Sequence, residues 1–148
     1  MIHVLRHCEA LHNISGIYDY DTNLTSNGVL HAQSLCGDYD YIICSPLKRC
    51  IQTYKHSKIN CIDGETNNNA REQILNICDM MTDIEIPETF NDMMNRIYDL
   101  KEYLANKKFN NKKILIVTHK HVISALSNNN IANADNGEFH DITHYVIT

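Results

Sequence analysis

The sequence lacks the features that a membrane or nucleic-acid partner would require. It has no apolar stretch approaching the about 20 residues of a membrane-spanning helix, and its amino terminus lacks the apolar core of a secretion signal. Thirteen lysines and arginines against 18 aspartates and glutamates give a net charge of -5, so the chain has no overall positive charge for a polyanion. We therefore expect a cytoplasmic protein without nucleic-acid or membrane partners, and the sequence leaves its oligomeric state undetermined.

Several binding patterns are also missing. The five glycines are isolated, which excludes the glycine-rich loops of nucleotide sites. The six cysteines form no Cys-x-x-Cys pair and, without an export signal, are expected to be reduced. His119 with His121, and His140 with His144, could be metal-ligand pairs, but a structural zinc needs four convergent ligands. We expect neither a metal nor another cofactor.

A cysteine-based phosphatase is a second enzyme class that spacing can test. Its phosphate loop requires an arginine at a fixed distance after the cysteine. Ile14 occupies that position after Cys8, and Cys50 occupies it after Cys44, with Arg49 one residue too early. The cysteine mechanism is therefore not expected.

Short apolar segments alternate with helical patterns along the chain. A chain of 148 residues can bury one core, so we predict a single domain over residues 1–148. The alternation favours an α/β fold, a three-layer α/β/α sandwich with a mostly parallel central sheet. The predicted strands are Ile2 to Arg6, Asp40 to Cys44, Lys58 to Ile62, Lys113 to Thr118 and one within Ile142 to Ile147.

The segments between these strands are predicted from capping residues and apolar spacing. Ser45 can cap a helix and Pro46 suits its first turn. The predicted segments are a helix from Thr25 or Ser26 to Gly37, a helix from Ser45, a polar loop over 63–69, a short helix over 71–81 covering the sheet edge, and a long helix over 87–108.

Cationic and imidazole side chains follow three of the predicted strands. Arg6 and His7 end the first, Arg49 follows the second, and His119 follows the fourth. Ligands bind at the carboxyl ends of strands in such sheets, so these groups should meet. Guanidinium forks bind phosphate oxygens, and an imidazole whose other nitrogen is held by a backbone carbonyl can accept a phosphoryl group. We expect His7 to be this nucleophile, with Asn13 adding a neutral hydrogen bond.

Four motifs together resemble the histidine phosphatase superfamily, also called phosphoglycerate mutase-like. Each is similar to a segment of that family, in the same order and over nearly the whole chain. They are Arg6-His7-Cys8-Glu9 with Asn13, Leu24-Thr25-Ser26-Asn27-Gly28 with Gln33, Ser45-Pro46-Leu47-Lys48-Arg49 with Thr53, and Val117-Thr118-His119.

The resemblance implies a role for each matching residue. His7 would be the phosphorylated nucleophile, and Arg6, Arg49 and His119 would form the phosphate pocket, with Asn13 beside them. The family's proton donor lies in a segment that Ala70-Arg71-Glu72 matches, which makes Glu72 our choice. Glu65, in the same predicted loop, is the alternative, and Glu9 is expected to be structural.

Two departures from the family pattern concern the space around the nucleophile. Cys8 replaces a glycine and is expected to narrow the pocket beside His7. Lys120-His121 replaces a pair that is frequently Gly-Gly, which puts bulk and charge near the pocket mouth.

The resemblance also implies a choice of reaction. Mutase members carry a long insertion that holds phosphoglycerate, whereas about two dozen residues separate Ile62 from Pro87 here. This favours a compact, metal-independent phosphatase with an open pocket, acting on a phosphorylated small molecule or a phosphoprotein, including phosphohistidine in proteins. The alternative is a pseudophosphatase that binds phosphate or phosphoproteins without turnover.

Overall fold

A five-stranded sheet forms the centre of the computed structural model, which describes residues 1–15 and 19–146. The strands are β1 (Ile2–Arg6), β2 (Cys36–Cys44), β3 (Lys58–Thr66), β4 (Ile114–Thr118) and β5 (Phe139–Asp141). Their spatial order is β3-β2-β4-β1-β5, and β5 alone in this sheet pairs antiparallel. The predicted, mostly parallel sheet is confirmed.

Helices cover both faces of this sheet. They are α1 (Leu11–Ile14), α2 (Ser26–Ser34), α3 (Lys48–His56), α4 (Phe90–Leu104), α5 (Lys120–Leu126) and α6 (Thr143–Val146), with 3-10 turns at Asn68–Ala70, Ile77–Asp79 and Lys107–Phe109. Successive strand residues enter opposite cores: Val4 packs with α4 and α5, whereas Leu5 packs with α2 and α3. The predicted three-layer α/β/α arrangement is therefore confirmed.

All six cysteines are free in the structure, as predicted. Within residues 1–15 and 19–146, none of the helices combines the length and the apolar character needed to cross a membrane.

Three strand predictions are wrong in their bounds. β2 begins at Cys36, four residues before the predicted Asp40, because Cys36 to Tyr39 pair with the first residues of β3. β3 continues to Thr66, so residues 63–69 are not a loop; this edge strand has solvent on one side, and its polar residues hide the apolar pattern of a strand. The last strand is Phe139–Asp141, whereas Thr143–Val146 is helical because the Asp141 carboxylate accepts the Thr143 N–H at 2.9 Å and turns the chain. Ile147 lies outside the described residues.

Two helix predictions also need correction at their ends. α2 begins after Thr25 as predicted, but it ends at Ser34 because Leu35 is already extended and Gly37 belongs to β2. α3 begins at Lys48 instead of Ser45, since the Asp21 carboxylate accepts the Lys48 N–H at 2.7 Å.

The segment over 71–81 is not the predicted helix at the sheet edge. It is irregular except for the 3-10 turn at Ile77–Asp79, and it reaches the carboxyl ends of the strands, where Arg49 binds it. The long helix is α4, which spans Phe90–Leu104 and is shorter than the predicted 87–108.

Gly28 allows α2 to approach the chain just after His7. A Cβ atom at this position would lie 2.1 Å from the Glu9 carbonyl oxygen, which is too close for any side chain. We expect Gly28→Ala to lower the free energy of unfolding by about 1–3 kcal/mol through this overpacking. Urea unfolding measures the change, and Asn27→Ala, at an exposed neighbouring position of α2, is the matched control. Equal stability of both variants would contradict this role of Gly28.

Candidate active site

The carboxyl ends of three neighbouring strands bring the predicted site residues together. β4 lies between β1 and β2, and all three run in the same direction. Just past the strands, the His7 N–H donates to the Thr118 carbonyl at 3.0 Å, and the Ser45 N–H donates to the Val117 carbonyl at 3.0 Å. The strand pairing thus fixes His7 and His119 side by side, with ring centroids 5.2 Å apart.

His7 has the geometry of a nucleophile. Its Nδ1 lies 2.7 Å from the Cys8 carbonyl oxygen. Because a carbonyl can only accept, Nδ1 carries the proton and Nε2 keeps its lone pair. The ring is buried, and burial followed by the positive charge of Arg49 holds the pKa of His7 well below its ordinary value. His7 is therefore neutral at pH 7, the state that can accept a phosphoryl group.

The backbone beside His7 is fixed by side chains of the family-like motifs. The Thr53 hydroxyl accepts the Cys8 N–H at 2.9 Å and donates to the Arg49 carbonyl at 2.7 Å. The Glu9 carboxylate accepts the Thr25 hydroxyl at 2.8 Å, which agrees with a structural role for Glu9.

Cys8 does not narrow the pocket, contrary to expectation. Its side chain is buried and packs in the core beneath α2 and α3. Burial raises the pKa of its thiol to about 11, so Cys8 is protonated at neutral pH and is not a thiolate nucleophile.

Three of the predicted phosphate ligands carry unused donors. Within the described part of the chain, Arg6 Nε, Arg49 Nε and His119 Nδ1 are buried without a hydrogen-bond partner. Buried nitrogens of this kind are normally paired, since leaving one unpaired costs about 1–3 kcal/mol. A bound anion would pair them.

The neighbours of His119 indicate which of its two ring nitrogens carries the proton. Ser45 Oγ accepts the Leu47 N–H at 3.3 Å, which leaves its own proton to donate to His119 Nε2 at 2.8 Å. This arrangement favours the proton on Nδ1, the nitrogen without a partner. Burial, followed by Arg49 and His7, holds the pKa of His119 well below its ordinary value, so a bound dianion would be needed to charge the ring.

Arg49 is held by a segment that the sequence did not identify. Its Nη1 donates to the Cys78 carbonyl at 2.7 Å, and its Nη2 donates to the Asp79 carboxylate at 2.9 Å. Asp79 in turn accepts the backbone N–H groups of Leu75 and Asn76 at 3.2 and 3.1 Å. Arg49 and Asp79 form a buried ion pair inside the pocket, with 1% and 7% of their side chains exposed.

The two candidate proton donors lie in different places. Glu72 is buried at the pocket, where its carboxylate accepts the Gln73 N–H at 3.0 Å and lies 3.2 Å from His121 Nδ1. Glu65 lies on β3 and accepts the hydroxyls of Tyr41 and Tyr103, both at 2.9 Å. Burial raises the pKa of Glu65, but these hydrogen bonds outweigh it and lower the pKa overall, which suits a structural carboxylate.

His12 is a pocket residue that sequence reasoning missed. Its ring centroid lies 6.0 Å from that of His7, and burial followed by the charge of Arg49 lowers its pKa to about 4. Asn13 Nδ2 lies 3.3 Å from His12 Nε2, while Asn13 Oδ1 accepts the Ala10 N–H at 2.9 Å. The position of His12 next to Asn13 in the sequence could have indicated that His12 lies in the pocket.

These side chains surround one cavity of about 290 Å³. Arg6, His7, Asn13, Arg49 and Glu72 line it, whereas His119 is fully buried and does not line it, although its ring centroid is 5.2 Å from that of His7. Lys120 and His121 line it as well, as their position after His119 predicted. Another cavity, of about 460 Å³, lies between α3 and β3 and is mainly apolar; it contains Glu65 and none of the predicted phosphate ligands.

A metal site is not visible among the residues that the structure describes. In residues 1–15 and 19–146, no three histidine, cysteine, aspartate or glutamate side chains converge so that they could hold an ion.

Comparisons with known proteins agree with this fold. An alpha-ribazole phosphatase from Shigella flexneri has 20% identity and a TM-score of 0.71, over 93% of this chain and 87% of that one. A phosphoglycerate mutase from Thermus thermophilus has 16% identity and a TM-score of 0.71, over 93% and 90%. At these identities the similarity shows the fold. A search of curated proteins found no match.

Family membership rests on the sequence itself. The model of the histidine phosphatase superfamily (branch 1) matches residues 2–97, which include His7, Arg49 and Glu72. This match supports a phosphatase-type or mutase-type activity and confirms the resemblance found in the motifs. The chain belongs to the histidine phosphatase superfamily.

Proposed function

We propose that the protein is a metal-independent phosphatase that hydrolyses phosphomonoesters through a phosphohistidine on His7. The observation that carries this proposal is the buried, neutral His7 imidazole, whose Nδ1 is held at 2.7 Å by the Cys8 carbonyl so that Nε2 can accept a phosphoryl group. The unpaired donors of Arg6, Arg49 and His119 support it, because they offer partners for the phosphoryl oxygens beside this nucleophile.

In the first step His7 Nε2 attacks phosphorus. The N–P bond forms as the bond from phosphorus to the ester oxygen breaks, and the electron pair of that bond goes to the leaving oxygen. Arg6 and Arg49 stabilise the charge on the phosphoryl oxygens, and Glu72 gives a proton to the leaving oxygen.

In the second step water attacks the phosphohistidine. Glu72, now a carboxylate, takes a proton from the water as its oxygen bonds to phosphorus, and the N–P electron pair returns to His7 Nε2. Inorganic phosphate then leaves, and the pocket returns to its starting protonation state.

Hydrolysis is favoured over mutase chemistry by the residues of the short segment between β3 and α4. Arg71 in this segment pairs with Glu85 at 2.7 Å, and Arg96, in the middle of α4, pairs with Glu88 of the segment at 2.7 Å. Neither of these arginines is available to hold a second acidic group of a phosphoglycerate. The open cavity suits a phosphorylated small molecule or a phosphoprotein, phosphohistidine included, and a cytoplasmic location fits either substrate.

A pseudophosphatase that binds phosphate without turnover is the alternative function. It would use Arg6, Arg49 and His119 in the same way but would not need an acid. Glu72 favours turnover, because it lies in the same cavity as His7. Cys8 packs in the core away from the cavity, so its side chain does not obstruct the nucleophile.

Phosphate release from a panel of sugar phosphates, nucleotides and phosphopeptides tests the proposal. We expect turnover of at least one class, unchanged when EDTA is added, because the cavity residues supply the positive charge. Loss of activity with EDTA and its recovery with a divalent ion would contradict metal independence. Tight binding of inorganic phosphate without any turnover would favour the pseudophosphatase.

A further inference from the structure

We propose that His121 supplies the proton that Glu72 gives to the leaving group and later removes the proton that Glu72 takes from water. This inference rests on the proposed function. His121 acts through Glu72 and does not contact phosphorus, so it is a positioning and proton-supplying residue for the acid.

The geometry of the pair supports direct proton exchange. His121 Nδ1 lies 3.2 Å from Glu72 Oε2, and the His121 backbone N–H donates to the same oxygen at 3.4 Å. Since α5 begins at Lys120, immediately after His119, the pair is anchored to the same strand end as the phosphate pocket.

The two side chains have complementary exposure. The Glu72 side chain is 10% exposed and lines the cavity, whereas the His121 side chain is 47% exposed. Glu72 can therefore reach the leaving group, and His121 can exchange protons with bulk water. The pair connects the closed end of the pocket to solvent.

A histidine beside Glu72 can supply a proton that a carboxyl group alone does not hold at neutral pH. An isolated carboxyl group is almost entirely ionised at pH 7 and holds no proton to give. The hydrogen bond to Glu72 raises the pKa of His121, against the opposing effect of its partial burial; Lys120 lowers this pKa, and Asp79 raises it. Arg6 lines the same cavity as Glu72 and His121.

The proton balance is then complete in both steps. As the ester bond breaks, the His121 imidazolium gives its proton to Glu72, and Glu72 gives a proton to the leaving oxygen, so that Glu72 ends as a carboxylate and His121 as a neutral imidazole. When water attacks the phosphohistidine, its proton passes to Glu72 and from there to His121, which restores the imidazolium.

The test compares two substrates with different leaving groups. An alkyl phosphate needs a proton on its leaving oxygen, whereas p-nitrophenyl phosphate releases a stable phenolate. We expect His121→Gln, which keeps a hydrogen-bond donor but no titrating proton, to lower kcat/KM for the alkyl phosphate about 10²-fold above neutral pH. In the variant, the basic limb of the pH profile of kcat/KM for the alkyl phosphate should move to lower pH. The value of kcat/KM for p-nitrophenyl phosphate should change little.

His56→Gln is the matched control, because His56 is exposed at the far end of α3 from Arg49. Equal losses for both substrates in His121→Gln, or an unchanged pH profile, would overturn the inference and leave the proposed function standing. Wild-type protein without His7-dependent turnover of either substrate would overturn both.

A second measurement does not depend on activity. NMR titration of His121 in the otherwise native protein should give a pKa above its ordinary value, and this pKa should fall in Glu72→Gln. An identical His121 pKa in the two proteins would show that the pair does not share a proton and would overturn the inference.

Discussion

Replacing His7 by glutamine should abolish phosphatase activity while leaving the fold intact. We expect kcat/KM to fall by at least about 10⁴-fold, because loss of a covalent nucleophile leaves only the binding and electrostatic contributions of the pocket. Glutamine has an amide that can donate a hydrogen bond to the Cys8 carbonyl, which accepts from His7 Nδ1 at 2.7 Å in the native protein. Steady-state release of phosphate from p-nitrophenyl phosphate measures the effect.

The exposed His56 again provides the control, since His56→Gln should keep wild-type activity. Circular dichroism and urea unfolding would show that both variants are folded. A His7→Gln protein with activity within an order of magnitude of wild type would mean that another group attacks phosphorus.

Arg49→Met should damage both catalysis and stability. The guanidinium is 1% exposed and lies in the cavity, and loss of one preorganised donor to a developing anion costs about 10²- to 10³-fold in rate. The substitution also leaves the Asp79 carboxylate buried without its partner, and breaking a buried ion pair costs about 3–5 kcal/mol. Phosphatase kinetics and urea unfolding measure the two effects separately.

The double variant Arg49→Met with Asp79→Asn separates these two roles. Removing the orphaned charge should restore much of the lost stability, because the amide can still accept one of the backbone N–H groups that Asp79 binds. Activity should not recover, since no guanidinium is present for phosphate. Recovery of activity together with stability would mean that Arg49 only supports the fold around Asp79.

The sequence predicted the apolar parts of the central strands because their physical signal is local, but it missed the first four residues of β2, which are mostly not buried. The run Ile114–Thr118 is buried along its whole length, and a continuous apolar segment of this kind identifies a central parallel strand. The edge strand β3 has no such continuous apolar segment, since Ile62 is 83% exposed and the residues that follow are mostly polar. The continuation of β3 to Thr66 could therefore not be recognised from the sequence. The short β5 depends on pairing with β1, which no local pattern encodes.

The residues of the candidate site also differ in how far the sequence could predict their positions. Arg6, His7, Arg49 and His119 follow strands, so their convergence could be predicted from the topology of a parallel sheet. The pairing of Arg49 with Asp79 joins residues 30 positions apart through an irregular segment, and its geometry depends on tertiary packing. Glu72 was found by resemblance, but its contact with His121 spans 49 positions and became visible only in the folded chain.

The chemical identity of the covalent intermediate tests the central claim most directly. Glu72→Gln should accumulate it with p-nitrophenyl phosphate, because the phenolate leaves without a proton whereas hydrolysis of the intermediate loses its base. Mass spectrometry of the alkali-quenched protein should find one acid-labile phosphoryl group on the peptide that contains His7. A phosphoryl group on another residue, or steady turnover without any covalent intermediate, would contradict the role of His7.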